Sequence, residues 1–406
     1  MTRVAIEQQQ QVDPEPRRIV FVLSGLTAGG AERVVSLISN AWQQSGSKIT
    51  IITFDSDEQA SFHPLSPDIT VRRLNIPAAR GGRVAAMRTM VARIRALRNA
   101  SRASEPDVII SFLTKINVLT LLASLFTPWR VVISERNNPQ RQEKSRIWNS
   151  LLAALSWRAV AIVMQTEASL KCLGSWRRRR AIVINNPIEL GQLERRDHDG
   201  LVLAAAGRLT PQKGFDMLID AFARIAPRHP GWRLIIWGEG ELRAALLRQV
   251  AATGLGSRIL MPGNSANPEQ WVAGADAFVV SSRYEGFCNA LGEAMAGGVA
   301  VASFACDFGP PDMIRHDVNG LLVPVENVAA LAAALDRLMS EPALRDRLGC
   351  AAQDSMWRYN PDVIIGHWDR LVDSLIEPLP PRPNWVPSKP VVEHRGTDPG
   401  WSSDYR

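Results

Sequence analysis

The chain predicts two doubly wound α/β domains in succession, each a parallel sheet with helices on both faces. Three observations carry this. Short, almost wholly apolar runs rich in β-branched residues alternate with amphipathic stretches of helical length. The series halts after residue 186 and restarts at 201, and 406 residues are too many for one ordinary domain. Hydrophobic residues make up 46% and charged residues 21%, the proportions of a globular chain with ample core.

Taken in order, "RIVFVLSGL" (18–26) reads as the first strand and "GGAERVVSLISNAWQQSG" (29–46) as a helix stopped by glycine. "KITIITF" (48–54) is the second strand, and "DVIISFL" (107–113), "RVVISE" (130–135), "AVAIVM" (159–164) and "AIVINN" (181–186) continue the series. Runs without polar alternation suit strands covered on both faces. "NNPIELGQLERRDHDG" (185–200) breaks the pattern with a proline and mixed charges. The series resumes with "LVLAAAGRL" (201–209), "WRLIIWGEG" (232–240), "RILMPG" (258–263), "AFVVSS" (277–282) and "VAVASF" (299–304). The expected division is therefore a loose leader (1–17), an N-terminal domain (18–186), a linker (187–200), a C-terminal domain (201–358), a last helix (359–376) and a proline-rich, disordered tail (377–406).

Composition narrows the function. The N-terminus has no apolar stretch of the signal-peptide kind, and the longest uncharged apolar run, 116–129, is too short to span a bilayer. Cys172, Cys288, Cys306 and Cys350 show neither a CxxC nor metal-like spacing with histidine, so disulfides and zinc are not expected and a reducing cytoplasm is. The net charge of +7, mostly an excess of arginine, suits phosphate-bearing ligands, nucleic acid or an acidic membrane. A nucleic-acid-binding protein would interleave its cations with an aromatic stacking platform, which this chain lacks.

The segment "SRYEGFCNALGEAMAGG" (282–298) sets Glu285 and Glu293 in an almost uncharged stretch. Carboxylates in such a setting need partners, since burying an unpaired charge is costly. Glu285 falls in a loop at the carboxyl end of a strand, where open α/β sheets bind ligands, and Glu293 about one turn into the following helix. The free N–H groups at Phe287, Cys288, Asn289 and Ala290 make an anion site. In "GRLTPQKGFDML" (207–218), Arg208 and Lys213 flank another strand-to-helix loop and can neutralise a diphosphate. In "SGLTAGGAERV" (24–34), Gly29 and Gly30 let backbone approach a ligand at the start of a helix. A diphosphate flanked by carboxylates for hydroxyls describes a nucleotide-sugar.

Together these segments, with "NNP" in the right order, resemble the retaining glycosyltransferases of family 4, of GT-B fold, over residues 18–376. The most specific match is Glu285-x7-Glu293. The resemblance implies two Rossmann-like domains facing across a cleft, a nucleotide-diphosphate sugar in the second and an acceptor in the first. It implies Arg208 and Lys213 on the diphosphate, Glu293 on ribose hydroxyls, Glu285 on sugar hydroxyls, and backbone at 287–290 on phosphate and sugar. It also implies a closing helix, "YNPDVIIGHWDRLVDSLI" (359–376), that returns to the first domain. One departure stands out: where many relatives carry a histidine near the donor sugar, this chain has Glu135 and Arg136, which become the candidate acceptor-side contacts.

The helix 83–104, "RVAAMRTMVARIRALRNASRAS", steps Met87, Met90, Ile94 and Leu97 along one stripe with Arg88, Arg95 and Arg102 beside it and no acidic residue. It reads either as a solvated surface face or as a surface for anionic lipid headgroups or an acceptor's pyrophosphate, and "SWRRRR" (175–180) adds a second cationic cluster. "GEGELR" (238–243) lacks the third glycine of a dinucleotide loop, and "DHD" (197–199) sits in the linker, away from any strand end. The expectation is a retaining, metal-independent hexosyltransferase without cofactor. It moves a hexose or N-acetylhexosamine from a nucleotide-diphosphate sugar, UDP by preference, to a polyprenyl-pyrophosphate-linked glycan in surface polysaccharide or oligosaccharide assembly. Its place is the inner face of the cell membrane, held peripherally. An epimerase of the same fold and a basic nucleic-acid-binding protein are the alternatives.

Overall fold

The computed structural model describes residues 16–27, 29–56, 60–77, 82–136, 146–189, 201–265 and 269–376. The leader before residue 16, most of the linker with "DHD", the residues just after Arg136 and the tail from 377 lie outside them.

Strands β1 (Arg18–Val22), β2 (Lys48–Thr53), β3 (Thr70–Arg73), β4 (Val108–Phe112), β5 (Arg130–Ser134), β6 (Ala161–Met164) and β7 (Ala181–Val183) form one sheet, in the order β3-β2-β1-β4-β5-β6-β7. Strands β8 (Leu201–Ala206), β9 (Trp232–Trp237), β10 (Ile259–Gly263), β11 (Ala277–Val280), β12 (Ala300–Phe304) and β13 (Leu321–Val323) form the other, in the order β10-β9-β8-β11-β12-β13. Its pairings are all parallel, with Ala277 opposite Leu203 and Ala300 opposite Ala277. Both orders run outward from the first strand and then jump back across it. The switch lies between β1 and β4 in one sheet and between β8 and β11 in the other, and at such a point the carboxyl ends of the strands open a crevice. Two strands have no counterpart among the apolar runs: β3 is "TVRR", and β13 is three residues long.

By internal packing the chain divides into two compact units, Met1–Ile133 with Leu155–Val160, and Ser134–Ala154 with Ala161–Arg406. In the first, Val34, Val35, Ile38 and Trp42 of the helix Gly30–Gln44 are buried, and Trp42 stacks on Phe21 of β1 with ring centroids 5.7 Å apart. The helix Arg83–Arg102 corrects the expected stripe. Leu97 is fully buried, Met90 and Ile94 are half-buried, and only Met87 stands out at 58% exposure. The unit needs an apolar seam where this helix packs on β2 and on the helix Thr114–Ala123, so most of the stripe turns inward. What the helix shows outward is Val84, Met87 and Val91 between Arg88, Arg95 and Arg102, all exposed.

In the second unit the alternation along β8 serves two cores. Leu203 and Ala205 pack with Leu218 and Phe222 of the helix Phe215–Ile225, while Val202 and Ala204 pack with Phe278, Val280, Leu291 and Met295. Leu291 and Met295 lie one turn apart on the helix Asn289–Ala296, and each contributes roughly 1.5–3 kcal/mol by leaving water. That packing fixes the helix so that its N-terminus comes just past the carboxyl end of β11.

Candidate active site

The loops that leave β8 and β11, the two strands at the switch of the second sheet, bring Arg208, Lys213 and Glu285 together. They are stitched to each other. Ser281 Oγ donates to the Lys213 carbonyl (2.9 Å), Arg283 N–H to the Gln212 carbonyl (2.8 Å) and Gln212 Nε2 to the Tyr284 carbonyl (3.0 Å). The Arg283 guanidinium holds both oxygens of Asp216, at 3.0 and 2.7 Å, and also reaches Glu326 and the Pro211 carbonyl. Gly214 makes the crossing feasible: its φ is +61°, and a Cβ there would strike the Ser281 carbonyl.

At the centre, Lys213 Nζ donates to Glu285 Oε1 at 2.6 Å, and Ser282 Oγ donates to the same oxygen at 2.6 Å. The side chains are 17% and 6% exposed, so this pair is largely buried. Burial pulls the Lys213 pKa down, but the Glu285 carboxylate beside it more than offsets that, and the ammonium is held more firmly than usual. Glu285 Oε2 has no further partner among the described residues. Arg208, exposed in the same loop, is close enough for its charge to act on Lys213.

Glu285 is followed by a strained turn. Cys288 sits at φ 72° and ψ 68° as N-cap of the helix Asn289–Ala296, a left-handed conformation uncommon for a side-chain-bearing residue. Burial pushes its thiol up to about 12, so it is an inert packing group. The N–H groups of Leu291 and Gly292 both go to the Cys288 carbonyl, while those of Asn289 and Ala290 have no acceptor among the described residues. Phe287 is buried, Asn289 and Ala290 are half-buried, and Glu293 is buried at 5% exposure. Two glycine contacts pin the turn. A Cβ on Gly286 would strike the Arg136 carbonyl, and one on Gly309 (φ +87°) the Phe287 carbonyl. The arrangement offers cations, free N–H donors and a carboxylate oxygen around one turn, which suits an anion joined to a polyol.

Arg136, a candidate acceptor-side contact, does not stand at the surface. It is buried, its guanidinium donates to Asn186 Oδ1 and lies 5.8 Å over the Trp368 ring, and burial lowers its pKa to about 9. Glu135 is buried beside it, with its N–H on the Val163 carbonyl. In the first unit, Gly29 is the N-cap of the helix that begins at Gly30, and the Glu32 carboxylate fills the space where a Gly29 side chain would stand. His63 hydrogen-bonds the Gly29 backbone, and burial keeps its imidazole pKa low. Arg88, Arg95 and Arg102 are exposed on the helix Arg83–Arg102 of the first unit. Leu113, which leads from β4 into the helix Thr114–Ala123, has φ 75°, so in each sheet the helix that follows one switch strand is capped by a positive-φ residue that is not glycine. No residue type announces such a turn. Ser282, Gln165 and Arg283 also gave no signal, and Asn186 was visible only inside "NNP". "GEGELR" has another role: Arg243, the first residue of the helix Arg243–Thr253, pairs with Glu239 in the preceding loop at 2.8 Å. Among the described residues no group of three or more histidine, cysteine or carboxylate side chains could hold a metal ion, and no helix is long and apolar enough to cross a membrane.

Residues 29–187 match the glycosyl transferase 4-like domain, and residues 191–355 match the glycosyl transferases group 1 family. The chain belongs to the group 1 glycosyltransferases. Among relatives of this glycosyltransferase, an exopolysaccharide phosphotransferase of Streptomyces coelicolor is 32% identical over 69% of this chain, yet the chain spans only 30% of that protein's length. A Campylobacter jejuni enzyme named as a GalNAc-alpha-(1->4)-GalNAc-alpha-(1->3)-diNAcBac-PP-undecaprenol alpha-1,4-N-acetyl-D-galactosaminyltransferase is 26% identical over 87% of this chain and 98% of its own. The solved structure of Anabaena HepE in complex with UDP and glucose superposes with a TM-score of 0.74 at 20% identity, over 88% of this chain and all of that one (100%). That likeness shows the GT-B fold.

Proposed function

We propose that the protein is a retaining, metal-independent hexosyltransferase that takes its sugar from a nucleotide diphosphate, UDP by preference. The observation that carries the reading is the buried Lys213–Glu285 pair set against the N-terminus of the helix Asn289–Ala296. Arg208, Lys213 and the N–H groups of Asn289 and Ala290 stabilise the departing diphosphate, where charge peaks in the transition state. Glu285 Oε2 and Glu293 take hydroxyls of the sugar and the ribose. No cation is needed for neutralisation, and no cofactor takes part. UDP is favoured because the HepE complex holds it.

The acceptor is proposed to be a glycan on a polyprenyl pyrophosphate, as the Campylobacter relative's name suggests for that enzyme. Such an acceptor is anchored in a membrane, so the protein docks peripherally at its inner face through Val84, Met87 and Val91 with Arg88, Arg95 and Arg102. The deciding experiment screens nucleotide-sugars for thermal stabilisation of the chain, then follows turnover with and without a lipid-linked glycan. Acceptor-dependent transfer that survives EDTA supports the reading. Acceptor-independent conversion of the sugar itself indicates an epimerase instead.

A further inference from the structure

Three side-chain amides and one guanidinium line up behind the turn that carries the helix Asn289–Ala296. Arg136 Nη1 and Gln165 Nε2 both donate to Asn186 Oδ1, the latter at 2.7 Å, and Asn186 Nδ2 donates to Asn289 Oδ1 at 2.7 Å. Arg136, Gln165 and Asn186 are buried. The direction of this chain is dictated by chemistry. A guanidinium has no acceptor, so the atom of Asn186 that meets Arg136 must be oxygen, and the other branch must be the NH₂ group. Asn289 must then turn its oxygen toward Asn186, which leaves its own NH₂ on the far branch. That group has no acceptor among the described residues.

The geometry points to Asn289 as a diphosphate contact and to Asn186 as the positioning residue that forces it to present a donor. This rests on the donor reading proposed above. The reason for an oriented amide is selectivity of charge. An asparagine free to rotate would face an anion with its oxygen half the time, whereas the Arg136–Asn186 link holds the donor forward before the ligand arrives. The Gly286 contact fits the same purpose, since its missing side chain lets the Arg136 carbonyl and Gln165 Oε1 close on the turn.

The test is Asn186→Asp. An aspartate keeps the shape and still accepts from Arg136 and Gln165, but its second oxygen now faces Asn289, whose amide must rotate and show its oxygen to the ligand. Asn289→Asp reaches the same end by a separate route, keeping its acceptor toward Asn186. Calorimetric titration of the full chain with UDP, GDP or ADP, whichever binds, and with the matching nucleoside gives the readout. Both variants should bind the diphosphate roughly tenfold or more weaker while nucleoside affinity and unliganded melting temperature stay unchanged. The loss should persist at high salt, which would screen a simple effect of the added charge. Undiminished diphosphate affinity in both variants, or a nucleoside affinity that falls in step, overturns the relay while leaving the donor reading intact. A wild-type chain that binds no nucleoside diphosphate overturns the donor reading itself.

Discussion

Glu285 and Lys213 were both legible as sequence, because a carboxylate in an apolar stretch and a lysine in a strand-to-helix loop each ask for a partner. That they partner each other was not. The pair changes what a substitution means. Lys213→Met strands a buried carboxylate, and breaking such a pair costs about 3–5 kcal/mol, so melting temperature and turnover should fall together. Arg208 is exposed, so Arg208→Ala should reduce kcat with melting unchanged. Scanning calorimetry beside steady-state kinetics separates the two, and equal melting losses would show that Arg208 is structural. Glu293→Ala should weaken nucleotide binding by roughly 1.5–3 kcal/mol as the ribose hydroxyls lose a charged acceptor. Unchanged UDP affinity would sink that role. Asn186 and Gln165 escaped the sequence because amides are neutral and common, and their significance lies in which atom faces which neighbour.

At the scale of elements, the site depends on two loops keeping their register. Arg283 gathers Asp216, Glu326 and the Pro211 carbonyl, and it was invisible in sequence because its partners lie 43 to 72 positions away. Burial raises the Asp216 pKa, but hydrogen bonds from Arg283 outweigh it and the net shift is downward. A lowered carboxylate pKa gives stability that is full above the unfolded value and fades as pH falls through the folded one. Half-exposed pairs are worth about 1 kcal/mol or less. The melting difference between wild type and Arg283→Ala should therefore hold from neutral pH down and shrink below about pH 4. A difference that grows in acid would contradict the assignment. Gly286→Ala is predicted to push the turn off the Arg136 carbonyl, costing about 1–3 kcal/mol and loosening nucleotide binding, which a UDP titration checks.

At the scale of the molecule, the doubly wound sheets were legible almost strand by strand, since strands buried on both faces leave continuous apolar runs. β3, with its two arginines, and the brief β13 were missed because neither carries that signature. The charge of the helix Arg83–Arg102 was legible in the sequence but the direction of its apolar face was not, because a stripe at helical spacing fits a core as well as a membrane. About 1 kcal/mol for each of Arg88, Arg95 and Arg102 makes roughly a hundredfold in partitioning, screened by salt. The chain should sediment with anionic vesicles at low salt and release at high salt, and reversal of the three arginines to glutamate should abolish binding while donor affinity stays intact. Retained vesicle binding would leave the helix a solvated face.

The central claim is sugar transfer with retention, neutralised by protein groups alone. It is tested most directly by following a UDP-sugar and a polyprenyl-pyrophosphate glycan in EDTA and reading the new anomeric linkage by proton NMR. The account predicts a product with the donor's α configuration, formed at an undiminished rate. A β-linked product, or turnover that stops in EDTA and returns with Mg²⁺ or Mn²⁺, would contradict it.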